Sequence, residues 1–241
     1  MKSSFHRRVV AEFTGTLFLL AAVVGSGIMG QRLAAGNVAM ALLANTLATG
    51  AALVAILLAF GPISVAHLNP AVTLADAWQG GIAWQETPAY VFAQVAGAFA
   101  GVIVAHLMFG LPLLSASSHA RSGPAQVFSE FIATFGLLSV IWGCARSRPP
   151  AIPYAVGAYI AAAYWFTAST SFANPAVTLA RCVTDTLAGI RPADAGWFIG
   201  AQLAGASAAT LLFVWLMPAL KLDPVKASEE GTGDGTMNPA P

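Results

Sequence analysis

The seven residues Asn69-Pro70-Ala71-Val72-Thr73-Leu74-Ala75 recur letter for letter as Asn174 to Ala180. Asparagine is a strong helix N-cap and proline is favoured at the first helical position, so each block reads as the start of a helix. Each block follows a full apolar span, in a connection too short and too apolar for an ordinary loop. Ten helical residues rise about 15 Å, roughly half the hydrocarbon thickness of a bilayer. The blocks therefore read as two half-helices, at about 69–78 and 174–183, one dipping in from each face.

Two further markers repeat around them. Glu12-Phe13-x-x-Thr16 returns as Glu130-Phe131-x-x-Thr134, and Ala93-Gln94-x-Ala96-Gly97-Ala98 returns as Ala201-Gln202-x-Ala204-Gly205-Ala206. The three markers keep their order at offsets of 118, 105 and 108 residues. Residues 1–112 and 113–220 thus form two repeats, with a polar tail over 221–241 that reads as disordered. Three spans per repeat is an odd number, so the second repeat enters the membrane inverted, and the functional site falls at the midplane on interrupted helices. Small residues at every fourth position, Ala93, Gly97 and Gly101 or Gly200, Ala204 and Ala208, predict close helix packing.

Composition fixes the setting. Apolar residues make up 57% of the 241 and charged ones only 9%, with mean hydropathy +0.73. Soluble domains carry about 25% charge. Six stretches suffice to cross a bilayer: 9–30, 38–60, 88–109, 126–145, 151–169 and 195–218. The fold class expected is an all-α membrane protein with six transmembrane helices and two re-entrant half-helices. The first span is long and holds Glu12, so it reads as retained rather than as a signal peptide. One side collects Lys2, Arg7, Arg8, Arg146, Arg148, Lys221 and Lys226, and the other Arg32, Arg121, Arg181 and Arg191. The excess places both termini in the cytoplasm and suits a cell (inner) membrane. A net charge of +1 argues against nucleic acid, and Cys144 and Cys182 have no spacing suited to zinc or a disulfide framework.

At the centre, the two helix N-termini concentrate positive partial charge, and the amides of Asn69 and Asn174 add donors. A neutral solute accepts those bonds in passing, whereas a cation meets an unfavourable potential. Paired Asn-Pro-Ala motifs (Asn69, Pro70, Ala71 and Asn174, Pro175, Ala176), Ala66-His67-Leu68 before the first, and a glutamate early in spans one and four resemble the aquaporin (major intrinsic protein) family over about residues 9 to 219. The copy Asn238-Pro239-Ala240 lies in the polar tail and receives no role.

The resemblance implies a passive channel and a homotetramer with one pore per subunit, without cofactor, metal or catalytic residues. It also implies an outer constriction at Thr49, Ala162, Ser171 and Val177. Most of the family carries an arginine where this chain has Val177, so the ring reads as wide, weakly polar and free of fixed charge. Arg181 lies about 6 Å further along the half-helix and reads as a vestibule or headgroup residue. The chain is more similar to bacterial members associated with arsenic resistance than to orthodox water or glycerol channels. Undissociated arsenite and uncharged methylated arsenicals are the first expected solutes, with glycerol-like polyols, urea and water after them. The same resemblance gives Glu12 and Glu130 a structural role, accepting backbone hydrogen bonds from the re-entrant loops. His67 reads as pore-lining support and Cys182 as an inert thiol. Asp76 and Asp185 read as half-helix ends near water, and Tyr164, Trp165 and Phe166 as packing or lipid-facing near the outer interface.

A secondary transporter also uses inverted repeats and broken helices, but it needs an acidic or cation-coordinating midplane that these motifs do not supply. An enzyme would need a nucleophile and base or a metal cluster, and neither is readable here.

Overall fold

The structure is a computed structural model and describes residues 3–217. Among these are eight α-helices: α1 (Phe5–Leu33), α2 (Val38–Ser64), α3 (Pro70–Trp78), α4 (Thr87–Phe109), α5 (Pro124–Ser147), α6 (Ile152–Phe166), α7 (Pro175–Ala180) and α8 (Pro192–Leu216). A 3-10 turn over Pro149–Ala151 leads into α6, and another over Arg181–Val183 continues α7. The tail 221–241, Lys2 and the third Asn-Pro-Ala copy lie outside the described residues.

Five helices, α1, α2, α4, α5 and α8, are long and apolar enough to cross a membrane. The span expected over 151–169 is shorter, because α6 has only 15 residues and ends at Phe166. That is a rise of about 22 Å, to which the preceding 3-10 turn adds about 6 Å. Thr167 to Ala173 then runs on without helix, since Thr170, Ser171 and Ala173 all hold positive φ.

Helix α1 packs on α4 and α2, while α5 packs on α8 and α6, and α2 lies against α6. The two main crossings depend on equivalent glycines. A Cβ on Gly97 would run into the carbonyl oxygen of Phe13, and one on Gly205 into that of Phe131. Without side chains there, the helix backbones approach closely. The small-residue stripe expected at Gly200, Ala204 and Ala208 is not the one used. Gly200 and Ala204 are exposed, and nothing lies within 4 Å of a Cβ built on Gly200. The buried stripe is one position on, at Ala201, Gly205 and Ala209. The repeat offset itself points there, since it maps Gly97 onto Gly205.

Both short helices begin as their sequences require. Asn69 and Asn174 are extended N-caps at φ −156° and −158°, and proline occupies the first turn of each helix. The Asn69 Oδ1 accepts from the Ala71 amide at 2.9 Å. The Asn174 Oδ1 accepts from the amides of Ala176 at 3.0 Å and Val177 at 3.3 Å. The other end of each side-chain amide ties the two helix starts together. Asn69 Nδ2 donates to the Ala173 carbonyl at 2.8 Å, and Asn174 Nδ2 to the Leu68 carbonyl at 2.8 Å.

Candidate functional site

The loops before the two helices carry strained backbone in matching places. Val65, Ala66 and Leu68 hold positive φ in the first loop, as Thr170, Ser171 and Ala173 do in the second. Left-handed conformations cost non-glycine residues about 1–2 kcal/mol each. Buried carboxylates hold them in place. Glu12, fully buried, accepts from Ser64 Oγ at 2.7 Å, the His67 amide at 3.0 Å, the Leu68 amide at 2.7 Å and Gln94 Nε2 at 2.8 Å. Glu130, equally buried, accepts from the amides of Phe172 at 2.8 Å and Ala173 at 2.9 Å and from Gln202 Nε2 at 2.6 Å. Each glutamine also donates to the threonine of its neighbouring short helix, Gln94 to Thr73 and Gln202 to Thr178, both at 2.8 Å. Fully buried and absent from the cavity wall described below, these carboxylates are loop anchors.

The two loops and helix starts border one cavity of about 200 Å³. Asn69 and Asn174 line it near its middle. Each Nδ2 carries two hydrogens and spends one on the opposite loop, which leaves a donor for a passing solute. Pro70, Ala71, Pro175 and Ala176 are buried behind them. On the α3 side His67 and Asp76 line the wall, with His67 Nε2 3.4 Å from Asp76 Oδ2 and Nδ1 3.2 Å from Thr73 Oγ1.

On the α7 side, Thr49, Ser171 and Val177 line the cavity and Ala162 does not. Ala162 is exposed on the outside of α6. The residues of α6 that face the lumen are Ile152, Val156, Ile160 and Tyr164, spaced by four. Residues four apart share a helix face, whereas Ala162 stands about 200° around the helix from Ile160 and Tyr164. Tyr164 is accordingly buried in the cavity wall, and only Trp165 and Phe166 of that aromatic run are exposed. The same spacing marks the other walls, at Thr49, Leu53 and Leu57 on α2 and at Leu137, Ile141 and Ala145 on α5. That period was present in the sequence and identifies Tyr164.

Arg181 is the second correction. It is 2% exposed, lines the cavity, and sits with its guanidinium carbon 3.4 Å from the centre of the Phe172 ring. It is held in the wall at this end of the cavity and is not a headgroup contact, because its Nε donates to the Ala188 carbonyl. Arg121 lies near the same ring, its guanidinium carbon 5.0 Å from the centre. The donors of Arg121 are spent on the carbonyls of Gly189, Leu187 and Ser169 at 2.8 to 3.1 Å and on Thr170 Oγ1 at 3.3 Å.

The α4–α5 connection caps this mouth. The Ser115 and Ser117 amides donate to the carbonyls of Val183 and Cys182, each at 2.9 Å. His106 Nε2 meets Thr184 Oγ1 at 2.8 Å. The exposed Asp185 carboxylate accepts from the Ser118 amide and hydroxyl, both at 2.9 Å, which holds it below the usual carboxylate range. Burial, then the nearby charges of Arg121 and Arg181, hold His119 below the usual histidine range. Cys182 is half-buried with its thiol on the Thr178 carbonyl at 3.4 Å, and it is not part of the cavity wall.

A bundle of apolar membrane-crossing helices around a cavity stepped with polar groups, entered by two half-helices, is the architecture of a channel. The chain belongs to the major intrinsic protein family, whose model matches residues 1–151. It is therefore a multi-pass membrane channel protein and not an enzyme. It is 56% identical to the aquaglyceroporin AqpS of Rhizobium meliloti (strain 1021) over 211 residues, which cover 88% of this chain and 90% of the relative. It is 36% identical to aquaporin NIP1-3 of Oryza sativa over 190 residues, 74% of this chain and 64% of that one. The fold matches the X-ray structure of the aquaglyceroporin from Plasmodium falciparum with a TM-score of 0.68 at 21% identity, covering 90% of this chain and 98% of that one.

Proposed function

We propose that the channel passes small neutral solutes down their gradients: undissociated arsenite and uncharged methylated arsenicals, glycerol-like polyols, urea and water. The observation that carries this reading is the wall around Val177. There Thr49, Ser171 and the short apolar side chain of Val177 line the cavity together, and none of the three carries a charge. A wall of small uncharged residues admits a hydroxylated solute without a charge that would hold it. Val177 leaves room that a longer side chain would fill. The relative AqpS is itself named an aquaglyceroporin, which points the same way. A second reading, a tighter water or glycerol channel, draws support from Tyr164 and Arg181 in the wall.

The midplane supplies one barrier to ions in this proposal. The helix starts at Asn69 and Asn174 present positive ends to the lumen, and the two amides hydrogen-bond a neutral molecule as it crosses. Thr49, Ser171 and Val177 act as the selectivity filter, His67 as a polar contact below the centre, and Glu12 and Glu130 as buried supports. The two halves act as inverted repeats. The protein sits in the inner membrane as a homotetramer with both termini cytoplasmic. That orientation gains from the burial of Arg121 and Arg181, which leaves fewer free positive charges on the α7 side.

Stopped-flow flux in proteoliposomes across water, glycerol, urea and arsenite tests the solutes, with Val177→Arg as the filter variant. Val177→Arg is expected to reduce arsenite flux at least tenfold while water flux persists. An inserted Val177→Arg protein passing arsenite at the parent rate defeats this account of the filter.

A further inference from the structure

Arg181 has no counterpart in the function proposed so far, and its surroundings are unusual for an arginine. It is 2% exposed, yet among the described residues no carboxylate lies within ion-pair distance. Its Nε is spent on the Ala188 carbonyl, while neither Nη group makes a hydrogen bond to a described residue. Neither Nη is among the wholly occluded polar atoms left without a partner, so each keeps some accessible surface, and Arg181 lines the cavity. A guanidinium stays charged at every physiological pH, and burying one without a counter-charge is costly. Phe172 carries it on one ring face, and Arg121, itself buried and satisfied by carbonyls, adds a second positive charge beside the same ring.

Arg181 also stands four residues beyond Val177, on the same face of α7 and its 3-10 continuation, and both line the cavity. The filter at Val177 is thus uncharged, while a fixed charge waits one helical turn further toward the mouth.

We propose that Arg181 is a specificity-determining residue of the channel, a cationic collar at the α7 mouth that rejects cations and offers its free Nη donors to neutral solutes with oxygen acceptors. Size and charge selection are then separated along the pore. Val177, Thr49 and Ser171 leave the width, and Arg181 supplies the charge. The inference rests on the channel reading but not on its list of solutes.

Urea and guanidinium are matched in size and planarity and differ in charge, so their flux ratio reads the collar directly. In proteoliposomes of the parent protein, guanidinium flux is expected below about a hundredth of urea flux, and a parent ratio near one overturns the proposal. In Arg181→Gln the guanidinium-to-urea ratio is expected to rise at least tenfold, and in Arg181→Lys to stay at the parent value. An inserted Arg181→Gln protein with the parent ratio places the barrier elsewhere and overturns the proposal. Should Arg181→Gln fail to insert, Ser171→Asp tests the same field from the same wall. Ser171 holds φ 50°, a conformation that aspartate tolerates well. A carboxylate there offsets the guanidinium and should raise the ratio at least tenfold, while the isosteric Ser171→Asn should not. An unchanged ratio in Ser171→Asp also overturns the proposal. If the parent passes no urea, the proposed solute range fails on that point, and Na⁺ leak of the same variants reads the collar independently.

Discussion

The two mouths of the cavity are built from one sequence block and end in opposite charges. Asn69 to Ala75 and Asn174 to Ala180 are identical, and the next residue is Asp76 in one and Arg181 in the other. Both line the cavity, and each leans on the side chain at the equivalent loop position. His67 lies 3.4 Å from Asp76, while the Phe172 ring lies 3.4 Å from the Arg181 guanidinium carbon. Up to that residue the halves share caps, carboxylate anchors and crossed amides. Duplicated geometry holds the pore open and centres it. The charge that differs between the ends sits at the residues where the duplication stops.

The largest effects should follow from attacking what the halves share. Glu12→Ala removes the acceptor of four hydrogen bonds and leaves three left-handed residues unsupported. Bonds to charged groups contribute about 1.5–3 kcal/mol each. Both Glu12→Ala and Glu130→Ala should therefore lose most folded, monodisperse protein in detergent, with Glu12→Ala the worse. Recovery of either at parental yield and melting temperature would remove the anchors from the account.

Next come the crossed amides. Asn69→Asp and Asn174→Asp each place a carboxylate where two helix starts meet and lose the donor to the opposite loop. We expect solute flux to fall several-fold and a cation leak to appear in liposomes. Because the pairs are equivalent, the two variants should behave alike, and a leak in only one of them breaks the equivalence.

Helix packing on α8, within the second half, carries a smaller effect. Gly205→Ala should destabilise the protein by about 1–3 kcal/mol, since its Cβ meets the Phe131 carbonyl. Gly200→Ala should be neutral or gain about 0.5–1 kcal/mol, the usual helix benefit of alanine over glycine. Thermal melts in detergent rank them, and the reverse order would contradict the packing described.

The smallest effect belongs to one mouth alone. Asp185 is depressed by its bonds to Ser118, so that link is complete above the ordinary aspartate range near about 3.9 and is lost as pH falls through the lower folded value. Protection of the Ser118 amide, its exchange rate relative to an unstructured amide at the same pH, should fall only below about pH 4, and Asp185→Asn should weaken that dependence. A protection factor that changes between pH 6 and 8 would implicate another group.

Much of this was legible without coordinates. The repeated blocks, capped by Asn and opened by Pro, state their own helix starts, and mean hydropathy with six apolar runs states the membrane. The stripe at Ala93, Gly97 and Gly101 is buried as expected, but two other helix faces needed the structure. Ala162 was placed in the constriction by spacing to the family, although the row Ile152, Val156, Ile160 and Tyr164 carries the face that lines the cavity. Gly200 was preferred to Gly205, although the repeat offset maps Gly97 onto the latter.

What the sequence determined by itself was what is encoded locally or by duplication: the apolar runs, the helix starts and the matched markers of the two halves. The fate of Arg181 was decided only in three dimensions. Its chain neighbours describe a polar stretch beside a membrane face, where a long cationic side chain ordinarily reaches for water. It is buried because Phe172 from one loop, Ala188 from another and Arg121 from the α4–α5 connection converge on it. No window of sequence contains all three, so the charge at this mouth belongs to the tertiary structure.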